Sequence, residues 1–316
     1  MTQVFASIII VNYCGKSLLA KCLESLSQIS YKNHEIIIAD NKSEDDSVEF
    51  LHSNYPDIKI IELNKNYGFA IPNNIAAKTA KGKYLVFLNN DTSVTSDWLS
   101  KLISTMESDN TIAIGQSLLK KPSGTIESSG DFIDKHGIAY SKTEDPQGIT
   151  NILSARAASM IVRRDTFLDL GGFDENYFAS FEDVEINWKA WLWGYKVVII
   201  PTSVVYHHGG QTVKKFSKII AFHGTKNYIS LLMTHFGLKN SFKIILKLLF
   251  FPLLKYRFER KVSDHVSNFQ IPDLSTVLKA SFWVLGNLDK IIKKRKILQS
   301  RMVRTNDQLK EMGLLM

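Results

Sequence analysis

The chain has 316 residues, of which 45% are hydrophobic and 22% are charged, a composition that excludes a disordered protein. Its two cysteines, Cys14 and Cys22, are too few for a disulfide framework, and we expect two free thiols in a reducing, cytosolic compartment. Neither a basic region nor a small-residue cleavage site precedes the first strand-like segment, so we expect no secretory signal. The most apolar stretch, residues 244–254, is interrupted by Lys247 and Pro252 and is shorter than the about 20 residues that span a bilayer.

The net charge of +8 is unevenly distributed. Residues 1–213 carry 19 Lys and Arg against 25 Asp and Glu, a net of −6, whereas residues 214–316 carry 20 against 6, a net of +14. A basic segment joined to an acidic body favours an anionic partner, either a membrane surface or a nucleic acid. A solvated basic face without such a partner is the alternative.

From residue 7 to residue 88, apolar runs typical of buried strands alternate with segments of helical spacing. The predicted strands are Ser7–Val11, Glu35–Asp40, Ile58–Leu63 and Tyr84–Leu88, and the predicted helices are Leu18–Leu26, Ser47–Leu51 and Asn73–Thr79. This alternation predicts an α/β fold with a mostly parallel sheet and helices on both faces.

The second half of the chain is less regular. Residues 115–150 contain Gly, Ser, Asp and Pro with little periodicity, so we expect irregular excursions across the mouth of the sheet. Strands at Ser159–Val162 and Lys196–Ile200 flank a helix that starts at Asp165 and a second helix, Glu182–Trp193, whose three tryptophans we expect to pack in the core. Lysines and apolar residues at helical spacing follow Gly210, which places a domain boundary near residue 213.

Polar residues follow each of the first four predicted strands. They are Asn12 and Tyr13, Asp40 to Ser43, Asn64 to Phe69, and Asn89 to Asp91. Each of them alone is as well explained by helix or turn capping. Because ligands bind at the carboxyl ends of parallel strands, their recurrence at one edge favours a ligand site. The sequence has no glycine-rich dinucleotide fingerprint and no P-loop, so a divalent cation is the expected device for holding phosphates.

Two further groups of residues are candidates for chemical roles. Glu182 and Asp183 follow two aromatic residues, which favours a raised pKa and a general base; stabilisation of the helix N-terminus is the structural alternative. His207 and His208 follow a strand and precede two glycines, a position that is equally compatible with metal binding and with a structural role.

Taken in order, these segments resemble the family 2 glycosyltransferases of the GT-A fold, particularly the rhamnosyltransferase-like group that builds bacterial surface polysaccharides. The resemblance covers residues 5 to about 212, and it continues through Gly171–Glu175, Phe181–Ile186, Gly194–Val198 and Val205–Gly210. It implies a Rossmann-like GT-A catalytic domain at residues 1–213, with a donor site at about 5–115 and an acceptor and base region at about 115–213. Residues 214–316 are then a basic, amphipathic helical extension.

The resemblance also implies roles for individual residues. Asp40 would bind the pyrimidine base of a dTDP- or UDP-linked sugar. The remaining residues of the donor site would be Val11, Asn12, Tyr13, Asn41, Ser43, Asn66, Gly68, Phe69, Asn73, Asn90 and Asp91.

Asp91 ends the metal motif, which reads Asn89-Asn90-Asp91 and so lacks its first carboxylate. Asp91 and His207 would hold Mg²⁺ or Mn²⁺. Asp183 would act as catalytic base in a single, inverting displacement, and Glu182 would position the acceptor or the base.

The expected acceptor is a hydroxyl of a glycan or a lipid-linked saccharide, and the expected sugar is rhamnose or another hexose. The extension is expected to bind the inner face of the cytoplasmic membrane and not nucleic acid. Helices that only pack on the catalytic domain, or that form a homodimer contact, are the alternative. The competing functions are a glycoside hydrolase, a sugar-phosphate nucleotidyltransferase and a non-catalytic glycan-binding protein.

Overall fold

The computed structural model describes residues 4–134, 139–209, 217–236, 241 and 272–316. Strands and helices alternate through its first third, as predicted. The elements are β1 (Ala6–Asn12), α1 (Lys16–Ser27), β2 (His34–Asp40), α2 (Ser47–Asn54), β3 (Lys59–Glu62), α3 (Ala70–Thr79) and β4 (Tyr84–Asn89).

The middle of the chain adds short strands and completes the sheet. Its elements are β5 (Thr92–Val94), α4 (Trp98–Ser108), β6 (Ile112–Lys120), β7 (Ile126–Ser128), β8 (Asp131–Ile133), β9 (Ala139–Ser141), β10 (Thr150–Asn151), β11 (Ser159–Arg163), α5 (Arg164–Asp169), α6 (Glu182–Leu192) and β12 (Lys196–His207). The main sheet has the order β10-β12-β6-β11-β4-β1-β2-β3.

Strands β1 to β4 are parallel, and β6 is parallel to β12, whereas β11 runs antiparallel between β4 and β6. Successive residues of β1 enter opposite faces: Ile8 and Ile10 pack with α1 and α4, and Ile9 packs with α3 and α6. The predicted mostly parallel α/β sheet with flanking helices is confirmed.

The expectation of irregular structure from residue 115 is wrong for 115–120, which belong to β6 near the centre of the sheet. The polar residues that suggested a loop are satisfied inside the core. Ser117 Oγ accepts from Trp98 Nε1 at 3.0 Å, and Gln116 Oε1 accepts from the Arg156 amide at 2.7 Å. A Cβ at Gly115 would lie 2.6 Å from Ile200 Cδ1, so a larger residue there would require Ile200 to shift in the core.

Strand β12 continues seven residues beyond its predicted end. Its pairing with β6 shifts register between Ile200 and Val204, a stretch that contains Pro201, which cannot donate to the ladder. Beyond the shift, His207 pairs with Thr92 of β5. Because the pairing resumes after the shift, β12 reaches the edge of the sheet where β4 ends.

The C-terminal part is helical where it is described: α7 (Ser217–Leu231), which continues as a π-helical turn to Phe236, α8 (Leu274–Gly286), α9 (Leu288–Ser300) and α10 (Asn306–Glu311). Residues 237–240 and 242–271, which include much of the predicted amphipathic segment, lie outside the described residues. None of the described helices has the length and apolar character required to cross a bilayer.

These helices pack on the sheet domain. Leu309, Leu314 and Leu315 are buried in the same core cluster as Trp188 and Trp191, which confirms the packing role expected for these tryptophans. The Met316 amide donates to the Ile133 carbonyl of β8 at 3.1 Å. A domain boundary near residue 213 stays a prediction, since the described helices beyond it share the core of the residues before it.

Candidate active site

The carboxyl ends of β1, β2 and β4 form a hydrogen-bonded edge. Asn12 pairs in register with Asp40, and its Nδ2 donates to Asp40 Oδ2 at 2.9 Å and to Ser43 Oγ at 3.1 Å. Asn90 Nδ2 donates to Asn12 Oδ1 at 2.8 Å. Half-buried Val11 and Tyr13 flank Asn12. The structure therefore brings together the polar residues that follow three separate strands.

Asp40 is fully buried and directed into this edge. Its Oδ1 accepts from the Ser43 amide and its Oδ2 from Ser43 Oγ, both at 2.7 Å, in addition to the bond from Asn12. The Cys14 amide donates to Ser43 Oγ at 2.8 Å. Asp40 thus fixes the shape of the edge, and its contact with a nucleotide base stays a prediction.

The loop after β3 is tied to this edge by amide side chains. Asn41 Nδ2 donates to the Gly68 carbonyl, and the Gly68 amide donates to Asn66 Oδ1, both at 2.8 Å. Gly68 has a φ of +79°, and a Cβ there would lie 2.1 Å from the Phe178 carbonyl oxygen. The Phe69 amide donates to the same oxygen at 2.7 Å. Only glycine fits at residue 68, where the loop meets the segment that precedes α6.

Two neighbouring asparagines of α3 have different environments. Asn73, expected at the donor site, is buried and donates to the Phe69 carbonyl at 2.9 Å within its own helix. Asn74, which the sequence did not single out, donates to the Phe173 carbonyl at 2.8 Å and accepts from the Phe173 amide at 2.9 Å. The Gly171-Gly172-Phe173 turn is therefore held against α3 by a buried side chain.

On the other side of β4, a chain of charged groups starts at Asp91. Asp91 Oδ1 lies 3.2 Å from His207 Nε2, and His207 Nδ1 lies 3.0 Å from Glu127 Oε2. Burial favours a neutral imidazole, but the two carboxylates outweigh it and raise the pKa of His207 to about 9. Of the two histidines considered, only His207 lies between carboxylates; His208 Nε2 lies 3.2 Å from Ser93 Oγ.

The chain continues through residues that the sequence interpretation missed. Arg156 NH1 lies 3.2 Å from Glu127 Oε1, and Arg156 Nε lies 2.9 Å from Asp131 Oδ2. All three side chains are largely buried. Glu127 and Asp131 fall in the segment expected to be irregular, and no local motif distinguishes them from surface acids. Only the fold brings them to Arg156.

The two acids at the start of α6 differ in environment. Glu182 is buried, and its Oε2 has no hydrogen-bond partner in the described part of the chain. Asp183 is partly exposed; its Oδ2 accepts from the Ala157 amide at 3.3 Å, and its Oδ1 accepts from the Val184 amide at 2.8 Å.

Loss of solvation is the main cause of the raised pKa of both groups. Burial and the neighbouring Asp183 charge raise the pKa of Glu182 to about 8, whereas burial and the Asp131 charge raise the pKa of Asp183 to about 6. The pKa of Glu182 is raised more than that of Asp183, so near neutral pH Asp183 is the more readily ionised of the two. An ionised carboxylate with a pKa slightly below neutrality is suited to accept a proton from a hydroxyl.

Asp91 offers a carboxylate oxygen, and His207 offers an imidazole nitrogen once a cation displaces its Nε2 proton; both are ligands for Mn²⁺. Glu127, on Nδ1 of His207, is the kind of outer partner that orients a metal-binding histidine. Within the described ranges, no group of three or more His, Cys, Asp and Glu side chains forms a complete metal site. The residues present fit a cation that takes its other ligands from a bound phosphate ligand or from water.

The family model for glycosyl transferase family 2 matches residues 7–170, slightly more than half of the chain. The chain belongs to this family. The match includes the edge at Asn12, Asp40 and Asn90, together with Asp91 and the Glu127–Arg156–Asp131 contacts.

Curated relatives of this family 2 member include proteins of polysaccharide synthesis. It is 32% identical over 198 residues to the O-antigen biosynthesis protein RfbC of Myxococcus xanthus, an alignment that covers 58% of this chain and 16% of that longer protein. It is 26% identical over 238 residues to the rhamnosyltransferase WbbL of Escherichia coli (strain K12), which covers 68% of this chain and 88% of WbbL.

The fold is also found in solved glycosyltransferase structures. A crystal structure of GalNAc-T7 with UDP, GalNAc and Mn²⁺ matches 72% of this chain and 51% of that chain, with a TM-score of 0.57 and 19% sequence identity. This likeness establishes the GT-A type of fold.

The protonation state of Glu182 predicts how stability depends on pH. Because its folded pKa is about 8 against an ordinary value of 4.5, the free energy of unfolding falls as the pH rises between these values. Glu182→Gln has no proton to lose, so it should be stabilised relative to wild type at pH 8 and not at pH 4.5. Thermal unfolding across this range measures the effect.

Glu311→Gln, which neutralises an exposed carboxylate, is the matched control and should keep the wild-type pH dependence. If Glu182→Gln keeps it as well, the raised pKa of Glu182 is wrong.

Proposed function

We propose that the chain is an inverting glycosyltransferase that transfers a sugar from a nucleoside diphosphate donor to a hydroxyl of a glycan or lipid-linked saccharide. The observation that carries the proposal is the continuity of the site. Contacts and chain neighbours lead from Asp40 through Asn12 to Asn90, and from Asp91 through His207 and Glu127 to Arg156, whose neighbour Ala157 binds Asp183. A dTDP- or UDP-linked rhamnose or hexose is the proposed donor, and similarity to WbbL supports rhamnose.

The proposed base is Asp183. It is ionised near neutral pH and partly exposed, so it can accept the proton of an acceptor hydroxyl as that oxygen attacks the anomeric carbon. Glu182 beside it is buried and has the higher pKa, so it favours the protonated form, and its proposed role is to position the base. A single attack of this kind inverts the anomeric configuration and needs no covalent intermediate.

The proposed cation ligands are Asp91 and His207, with Mg²⁺ or Mn²⁺ as the metal. When bound there, the cation would neutralise charge on the departing diphosphate. Glu127 keeps His207 oriented through Nδ1, and Asn90 fixes the adjacent backbone by its bond to Asn12. Asn89 supplies no carboxylate, so the protein provides few of the charged ligands.

Asp183→Asn tests the proposed reaction. The amide keeps the shape of the side chain but cannot accept the proton, so turnover should fall by on the order of 10²–10⁴-fold while donor binding is retained. Nucleoside diphosphate release measures turnover, and calorimetric titration of the donor measures binding. Asp165→Asn, whose carboxylate is 99% exposed, is the matched control and should be fully active.

Wild-type turnover in Asp183→Asn would refute the base assignment. The products separate the competing functions: a nucleotidyltransferase releases pyrophosphate, whereas a hydrolase or a glycan-binding protein releases no nucleotide.

Asp91→Ala tests the cation site. It removes the charged oxygen ligand, so the gain in nucleoside diphosphate affinity caused by Mg²⁺ or Mn²⁺ should shrink by about 10- to 100-fold, while metal-free affinity changes little. Calorimetric titrations with each metal and with chelator measure this gain, and exposed Asp57 provides the control Asp57→Ala. An unchanged metal-dependent gain in Asp91→Ala would place the cation elsewhere.

We also propose that the helical extension binds the inner face of the cytoplasmic membrane. One face of α8 packs on α7, and the opposite face is exposed. The exposed apolar residues are four, four and three positions apart, which places them on one side of the helix. This outer stripe consists of Leu274, Leu278, Phe282 and Leu285, exposed by 48%, 42%, 71% and 64%.

The charge around the outer stripe favours an anionic bilayer as its occupant. Residues 272–316 carry nine Lys and Arg against four Asp and Glu, and the lysines at 279, 290, 293 and 296 are exposed. An apolar helix face among lysines is typical of segments that lie in the interface of an anionic membrane.

Replacing both Phe282 and Leu285 by Glu should abolish binding to phosphatidylglycerol-containing vesicles, because it puts two charges where apolar side chains enter the bilayer. Vesicle co-sedimentation measures the bound fraction. The control Ile149→Glu alters a side chain that is 51% exposed but lies away from the stripe. Wild type that stays unbound, or a double variant that binds like wild type, would refute membrane docking by this stripe.

A further inference from the structure

The turn that precedes α6 has a strained backbone. Ser180 and Phe181 have φ angles of +73° and +70°, in the left-handed region that residues with a Cβ rarely adopt. A residue in this region is strained and persists only where the surrounding structure holds it. Phe181 is the N-cap residue of α6, so this turn sets the direction in which the side chains of Glu182 and Asp183 point.

The residue that holds the turn lies in the extension. Asn227 of α7 is fully buried, and its Nδ2 donates to the carbonyls of Ala179 at 2.9 Å and Ser180 at 2.8 Å. Both hydrogens of one amide group are thus used on two consecutive carbonyls of the strained turn. Its Oδ1 has no hydrogen-bond partner among the described residues, so the side chain serves here through its donors.

Other contacts attach the same segment to α7. Lys226 donates to the Asn176 carbonyl, and Tyr177 donates its hydroxyl to the Asn227 carbonyl at 3.2 Å. The ring of Phe178 stacks on His223 with centroids 4.8 Å apart. Helix α7 therefore contacts residues 176–181 along the length of this segment.

The opposite side of this segment meets the donor loop. The Phe178 carbonyl accepts from the Phe69 amide, and its oxygen occupies the space that a Cβ on Gly68 would need. Residues 176–181 are therefore enclosed between the loop after β3 and α7. A shift of α7 would remove the contacts that hold the turn on one of its two sides.

We propose that Asn227 is a positioning residue, which fixes the turn at Ala179–Phe181 so that Asp183 is presented to the acceptor. The inference rests on the proposed function and extends it: α7, which lies beyond the predicted catalytic domain, is part of the catalytic unit. Asn227 acts through the backbone of the turn and does not touch the substrate.

The chemistry of the site explains why asparagine is needed. Aspartate would place a carboxylate against two carbonyl oxygens, and the like partial charges would repel. Leucine has a similar size but no donor, so two buried carbonyls would lose their partners. Asn227→Asp and Asn227→Leu therefore remove the same function by different routes.

Both variants should lower kcat by about 10- to 100-fold, the order of loss expected for a misplaced catalytic group, while the donor KM stays within about twofold. The acidic limb of the kcat–pH profile should move to lower pH, because a loosened turn admits water to Asp183. Hydrogen exchange of the amides at 179–184 should accelerate, independently of activity. Ser230→Ala is the control, since among the described residues that hydroxyl bonds to the Lys226 carbonyl of its own helix and not to the turn.

Faster exchange at 179–184 with unchanged kcat would overturn the positioning role, and so would slow, wild-type exchange in both variants. Thermal unfolding identifies a variant that does not fold, and the other variant then decides. A folded wild type that transfers no sugar would instead refute the proposed function, and then faster exchange in the variants would show only that Asn227 holds the turn.

Discussion

A guanidinium held between two carboxylates connects the two sides of the candidate site. Arg156 contacts Glu127 on one side, which orients His207 next to Asp91, and Asp131 on the other. Each of these buried charges is balanced by its neighbours of opposite charge. Removing one partner lowers the free energy of unfolding by about 3–5 kcal/mol, because the others are left unpaired. Because the backbone amide beside Arg156 also binds Asp183, Arg156 links the proposed cation ligands to the proposed base.

Burial also gives the two acids of α6, Glu182 and Asp183, different protonation states. Full burial keeps Glu182 protonated, and this neutral neighbour allows Asp183 to ionise near pH 7. Were both groups solvated, each would be a weaker base at that pH, and deeper burial of Asp183 would raise its pKa further and favour its protonated form. The strained backbone at Ser180 and Phe181 is consistent with this arrangement, since it places one acid inside and the next at the edge of solvent.

The local sequence pattern predicted the part of the site that lies at the carboxyl ends of the parallel strands. Asn12 and Asp40 follow apolar β-branched runs, and parallel strands bring such ends to one edge whatever lies between them. Strand β6 was missed because Gln116 and Ser117 find partners only in the folded core, so they resemble loop residues in the sequence. Arg156 was missed for a related reason: its partners are 29 and 25 residues away, and no spacing rule links them.

The contact between Met316 and Ile133 has a practical consequence for anyone who modifies the chain. The backbone of Leu315 pairs with Ile133 of β8, the strand that begins with Asp131. An engineered change that pulls residues 315 and 316 away from Ile133 would shift the paired strands β8 and β9, the first of which carries Asp131, one anchor of Arg156. Loss of activity in such a clone would then be an effect on the site itself, even though the altered residues lie more than 100 positions from Asp183 in sequence.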